Sequence, residues 1–192
     1  MNGEALRPEQ GYPARLVVPG WEGNMWVKWI RRLEFGDKPY MTREETSKYT
    51  DLLTDGKARM FTWVMEAKSV VTSPSPEKPI LHKGIQQLRG LAWSGKGKIK
   101  RVDVSLDGGK NWRTAQLHAP IMSKSLVRFT LPFEWSGEEL LIQSRAIDET
   151  GYVQPYIQEL QKIRGKNSIY HNNSIATWLV SKSGKVDNVR LG

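Results

Sequence analysis

The 192-residue chain sets 29 Lys and Arg against 20 Asp and Glu, a formal charge of +9, and contains no cysteine. That length can bury a core in one domain, or in one domain plus part of another. The lack of thiols excludes disulfides, thiolate metal sites and cysteine nucleophiles within these residues. The positive balance favours an anionic partner: nucleic acid, an acidic protein or an oxyanion. No run approaches the ~20 apolar residues of a membrane-spanning helix, and the first thirty residues lack the basic-then-apolar order of a secretory signal.

The opening, Met1 to Gly11, has neither helical periodicity nor strand alternation and reads as a loop entered partway, so Met1 is expected to be an internal methionine. Two strand-like runs follow, Ala14 to Val18 and Met25 to Leu33, joined by the Pro-Gly-Trp-Glu-Gly turn at 19–23. Residues 36–62 are polar, and the one helix start is Thr42, with Glu45 placed to complete a capping box. The prolines at 74, 76 and 79 stiffen a connection, and a domain boundary is expected near them.

Beyond it, strands are expected at Ile85 to Trp93, Ile99 to Leu106, Trp112 to Leu117, Val127 to Leu131 and Leu140 to Ile147, spaced as in an antiparallel sandwich. Val102, Val104 and Leu106 alternate with Arg101, Asp103 and Ser105, which predicts one buried and one wet face. No period of roughly 20 to 50 residues repeats, which argues against solenoids and propellers.

Ser105 to Trp112 fits an Asp-box pattern whose Asp-Gly-Gly supplies positive-φ positions; occurring once, it reads as a structural hairpin. Lys96, Lys98, Lys100 and Arg101 are interrupted by glycines and read as a solvated hairpin end rather than a phosphate-binding surface. His82, His118 and His171 lack metal-ligand spacing, so no metal site built from protein ligands alone is expected. No Walker loop, nucleophile elbow or dinucleotide fingerprint is present. Arg15 and Lys28, if they sit on neighbouring strands, could grip one phosphate between a guanidinium and an ammonium; two ordinary surface cations at strand ends would look the same in sequence.

Gly11-Tyr-Pro-x-Arg15-Leu-x-Val-Pro-Gly-Trp-x-Gly23, leading into Val27-Lys-Trp-Ile30, resembles the closing segment of the sulfite oxidase molybdopterin domain. Further matches follow in order: Ser47 to Asp51, Val104 to Trp112, Arg145 to Pro155, and Ile163-Arg164-Gly165. Within the family, 41–49 and 168–173 are most similar to the sulfite/sulfane dehydrogenases of thiosulfate-oxidising (Sox) systems.

The resemblance implies a mainly β fold: an immunoglobulin-like (E-set) antiparallel β-sandwich at 66–192 that dimerises, preceded at 1–65 by the C-terminal strip of an α+β molybdopterin domain. It implies a molybdenum–pyranopterin cofactor held by Arg15, Lys28 and the Trp26-Val27 backbone. Gln10 stands where many relatives carry histidine, so an amide would replace a ring; the cysteine ligand is absent from this chain. Tyr49 falls on the family's active-site tyrosine and Arg164 on an arginine of the substrate-anion pocket. The implied reaction oxidises sulfite or protein-bound sulfane sulfur and passes electrons to a c-type cytochrome, in a periplasmic homodimer that binds neither nucleic acid nor membrane. The chain alone, lacking the thiolate segment, is expected to be inactive. The alternative is a stand-alone immunoglobulin-like dimerisation or interaction module without catalysis.

Overall fold

The computed structural model describes residues 1, 3–168 and 170–191, so Asn2, Ile169 and Gly192 lie outside it, the second of these within the 168–173 motif. Two sheets pack face to face. One has the order β3-β4-β8-β7, built from Lys68–Ser73, Gly84–Trp93, Val127–Trp135 and Gln116–His118. The other has the order β11-β10-β9-β5-β6, built from Val186–Val189, Thr177–Val180, Leu140–Asp148, Ile99–Ser105 and Arg113–Thr114. All the ladders in both sheets are antiparallel. This is the expected immunoglobulin-like sandwich.

Its core follows from period-2 patterning. Along β8, Val127, Phe129, Leu131, Phe133 and Trp135 all point inward and are buried, while the residues between them are not. Leu88 and Ala92 of β4, Val102 and Val104 of β5 and Ile142 of β9 complete the layer. Each large apolar side chain taken out of water contributes roughly 1.5–3 kcal/mol, and non-directional burial of this kind holds the two sheets together.

Several expectations need correction. The strand expected at 112–117 is cut at Ala115: β6 pairs with β5 and β7 with β8, so the chain changes sheets there. The outer face of β5 is wet only toward its start, at Arg101, since Asp103 and Ser105 are both buried. Arg145 bonds Asp103 and stacks 4.2 Å over the Trp112 ring, covering that face with a paired ion. The prolines do not precede the whole sandwich, because β3 lies ahead of them and already pairs with β4. Finally, 14–18 and 25–33 do not form strands. They share a single bridge, Arg15 with Lys28, flanked by the Leu16 N–H donating to the Val27 carbonyl at 2.8 Å and the Ile30 N–H donating to the Ala14 carbonyl at 3.1 Å.

The Asp-box hairpin forms as its residues suggest. The Asp107 carboxylate accepts from the main chain of Asn111 and Lys110 and from the Asn111 side chain, and the Ser105 hydroxyl donates to it. Those donors, the Asn111 amide first, hold its pKa well below the usual carboxylate range.

Around the sandwich, the first 65 residues carry the helix α1 (Arg43–Ser47) and a two-stranded ladder of β1 (Asp51–Leu52) with β2 (Ala58–Arg59). Thr42 precedes α1 but makes no side-chain cap bond, so the expected capping box is not formed. Residues 20–22 pair with 63–65 through the Trp21–Val64 bridge, the Glu22 N–H donating to Trp63 and the Met65 N–H to Gly20, and the Trp21 and Trp63 rings stack at 5.1 Å. The same run continues into β3, so this segment rests directly on the sandwich. Among the described residues no helix is long and apolar enough to cross a membrane.

Candidate functional site

The Arg15–Lys28 bridge organises the first cluster. It brings a guanidinium and an ammonium to one side of the 3-10 turn Pro8–Gln10, whose carbonyls orient both. Arg15 Nη1 donates to the Gln10 carbonyl at 3.1 Å and Nη2 to the Trp26 carbonyl at 3.3 Å, while Lys28 Nζ donates to the Glu9 carbonyl at 2.8 Å. Gly11 turns at φ 109°, and a side chain there would press against the stems of both cations, with a Cβ 3.0 Å from Lys28 and 3.1 Å from Arg15. Arg15 Nε is buried without a partner. A cradle kept open by glycine, two adjacent cations and one unused guanidinium N–H suit a phosphate-bearing group. Gln10 meets Arg15 through its main-chain carbonyl, and the Val27 carbonyl is occupied by Leu16.

A second cluster lies at the junction of the N-terminal segment with the sandwich. Helix α2 (Ile157–Arg164) starts where the Glu159 carboxylate accepts the Tyr156 N–H, and it ends at Gly165, φ 81°, where any Cβ would collide with the Leu52 carbonyl. Only glycine lets the helix end settle on β1, and that contact delivers Arg164 to the neighbouring strand residue, Asp51. Arg164 is 1% exposed; Nη1 donates to Thr62 Oγ1 at 2.6 Å and to Asp51 Oδ2 at 3.4 Å, and Nη2 to Glu66 Oε2 at 3.5 Å. Its Nε has no partner.

Glu66 is the hub. Its Oε2 also accepts from the Tyr152 hydroxyl at 3.1 Å and faces His171 Nε2 at 3.2 Å, while Oε1 lies 3.6 Å from Lys96 Nζ. Burial alone would raise its pKa, but the His171 hydrogen bond, the Arg164 charge and the Tyr152 hydroxyl outweigh that and hold it at about 2. His171 Nδ1 faces Glu22 Oε1 at 2.8 Å. Burial opposes charge on that ring, yet its two carboxylate partners raise its pKa.

Beside this network opens a cleft of about 210 Å³ lined by Glu22, Gly23, Asn24, Tyr49, Asp51, Thr62, Tyr170 and His171. The Tyr49 and Tyr170 rings lie 4.8 Å apart at 48°, and Asn24 Nδ2 is buried without a partner. Tyr49 is thus on the cleft, and Arg164 stands behind the Asp51–Thr62 wall that it bonds. The 3-10 turn Gly23–Met25 connects the two clusters, with Glu22 on the cleft and Trp26 at the cation grip. Sequence reading did not single out Glu22, Glu66 or His171 as site residues, because 149 and 105 residues separate the histidine from its two carboxylates.

Comparison with known proteins places the chain in a family. The model of the Mo-co oxidoreductase dimerisation domain matches residues 59–178, and that of the oxidoreductase molybdopterin binding domain matches residues 1–44. Sulfite oxidase of Gallus gallus is 34% identical over 169 residues, covering 81% of this chain and 36% of that protein. Nitrate reductase [NADH] 2 of Nicotiana tabacum is 32% identical over 186 residues, covering 80% of this chain and 20% of that protein. The crystal structure of the sulfane dehydrogenase SoxCD from Paracoccus pantotrophus superposes with a TM-score of 0.94 at 64% identity, covering all of this chain and 49% of that one. The chain thus spans about half of that solved chain and roughly a fifth to a third of these curated relatives, and it belongs to the Mo-co oxidoreductase dimerisation domain family.

Proposed function

We propose that this chain is the C-terminal portion of a molybdenum-cofactor-dependent sulfite or sulfane dehydrogenase, with residues 1–65 closing a molybdopterin domain and 66–192 forming the dimerisation domain. The observation that carries the reading is the Arg15–Lys28 bridge, which sets two cations beside the Gly11 cradle inside the segment matched to molybdopterin binding. An exposed apolar strip on the same segment, including Val27, Trp29, Leu33 and a 93%-exposed Phe35, supports the view that more of that domain packs there.

When bound, the cofactor supplies the oxygen-transfer and two-electron chemistry. Arg15 and Lys28 would hold its phosphate by charge-assisted hydrogen bonds, with the Trp26-Val27 backbone and Gln10 beside it and Arg15 Nε available as one more donor. Tyr49 presents a hydroxyl at the cleft, and Arg164 supplies positive potential behind its wall, favouring a sulfur oxyanion or a protein-bound sulfane over a neutral substrate. For each oxygen the sulfur gains, one water is consumed and two protons and two electrons are released, the electrons passing one at a time to a c-type cytochrome. By the same reasoning the protein works as a periplasmic homodimer, and these 192 residues, which hold no cysteine, do not supply the thiolate ligand.

Steady-state sulfite- or sulfane-dependent reduction of cytochrome c by the complete protein tests this. Arg164→Gln at full molybdenum loading should lower kcat/KM roughly 10- to 100-fold, mainly through KM, as for loss of a hydrogen bond to a charged group. An unchanged kcat/KM would remove Arg164 from the site.

A further inference from the structure

His171 is buried, and each of its ring nitrogens faces a carboxylate oxygen: Nδ1 to Glu22 at 2.8 Å and Nε2 to Glu66 at 3.2 Å. A neutral imidazole carries one N–H, so it can satisfy one of these contacts only; the other would set a ring lone pair against a carboxylate. Only the imidazolium donates at both ends. The surrounding charges agree. Of the three carboxylates here, Asp51 and Glu66 stand within ion-pair distance of the permanent cations Arg164 and Lys96, whereas Glu22 is paired with neither. Among the described residues His171 is the one partner within ion-pair distance of Glu22, and the Lys68 ammonium acts on that carboxylate from farther away. The remaining groups facing the ring's surroundings are the Tyr152 hydroxyl on Glu66, the Tyr49 and Tyr170 pair across the cleft, and Lys68, whose ammonium donates to the Asn172 carbonyl at 2.5 Å.

The two carboxylates come from different places. Glu22 begins the 3-10 turn that leads to Trp26 and the cation grip, whereas Glu66 binds Arg164 and precedes β3. We infer that His171 is a positioning residue, a charged clasp whose protonated ring ties the cofactor-side turn at Glu22 to the Glu66–Arg164 pair and so sets the spacing between the two halves of the cleft. Loss of the ring proton releases one of the two carboxylates. Freed from His171, Glu66 would lean on Arg164 and screen its charge, and freed from His171, Glu22 would stand unpaired on the cleft wall. Either change weakens the cleft for an anion. The inference rests on the function proposed above for its kinetic consequence but not for the protonation state, which can be read without turnover.

The protonation state is tested by 15N NMR of the full chain labelled at histidine. With three histidines, His82→Gln and His118→Gln assign the signals. At about pH 7 the His171 nitrogens should both show the protonated, imidazolium shift, and Glu22→Gln should lower the pH at which that signal titrates. A neutral-ring pattern for His171, or a titration unmoved by Glu22→Gln, overturns the clasp whatever the enzyme does. The positioning role is tested in the complete protein. The parent's KM for the anionic substrate should rise roughly tenfold as pH passes the His171 titration, with kcat changing much less. His171→Gln, which can still hydrogen-bond, should show the raised KM at every pH, and Glu22→Gln should shift the limb to lower pH should the first variant not fold. Superimposable pH profiles for parent and variant would reduce His171 to a structural role. Absence of any sulfur-dependent turnover would instead defeat the proposed function while leaving the NMR result to decide the clasp.

Discussion

Arg164 at the end of α2 pairs with Asp51 of β1 at 3.4 Å across 113 residues of sequence, with the two side chains only 2% and 11% exposed. Glu66 keeps His171 and Lys96 if the arginine is removed, so Asp51 is the group left stranded. Breaking a buried pair from one side costs about 3–5 kcal/mol. Arg164→Ala should therefore destabilise the chain by about that amount. The Arg164→Ala/Asp51→Ala double variant should lose about 1–3 kcal/mol less than the sum of the singles. Urea midpoints measure both, and strict additivity would mean that the pair is not formed in solution.

Stability should depend on pH through Glu66 and His171, with opposite signs. The Glu66 carboxyl is lowered from 4.5 to about 2, so its contribution is complete above 4.5 and is lost as pH falls toward 2. The His171 ring is raised from 6.5, so its contribution is complete below 6.5 and is lost as pH rises through its folded value. Both are fully present only between 4.5 and 6.5, where Tm should be highest. His171→Gln should flatten the alkaline decline and, because the His171 hydrogen bond helps hold the Glu66 carboxyl low, weaken the acid limb that Arg164 and Tyr152 still support; an alkaline limb that persists unchanged in this variant would assign it to other groups.

Gln154, 1% exposed, joins three parts of the sandwich: its Oε1 accepts the Ser69 N–H at 2.8 Å, the Ser69 hydroxyl at 2.8 Å and the Ala146 N–H at 3.0 Å, and its Nε2 donates to the Ser174 carbonyl at 3.2 Å. Gln154→Ala strands two main-chain donors in the interior, and a buried unsatisfied donor costs ~1–3 kcal/mol each. The variant should lose about 3–5 kcal/mol in denaturant unfolding. A loss below ~1 kcal/mol would show that water or a neighbouring group takes over those donors.

The sandwich was legible because its strands alternate: Val127 through Trp135 and Val102 with Val104 announce an inward face, and the Asp-Gly-Gly at 107–109 announces its turn. Strands β10 and β11 were not, since Trp178 and Leu179 are only partly buried and the pairing of β10 with β9 is settled by tertiary contact. Residues 14–33 look like strands by composition, yet Pro19, Gly20 and a positive φ at Trp29 interrupt the extended backbone and leave one bridge. That bridge nonetheless joins the two cations that sequence had singled out. The junction network escaped notice for a different reason. Arg164 stood out by family resemblance, but Glu22, Glu66 and His171 are each unremarkable in their own neighbourhoods, and their meaning lies in contacts that no local spacing encodes.

The most direct measurement is the molybdenum content of the complete protein carrying this chain, in the parent and in Arg15→Ala, Lys28→Ala and the double variant. The parent should hold about one molybdenum per chain. Each single variant removes a charged donor from a bound anion, a change that costs ~1.5–3 kcal/mol and should lower occupancy, with the double variant nearly empty while the sandwich stays folded. Full molybdenum content in the double variant, with the fold intact, would contradict the assignment of residues 1–65 to cofactor binding.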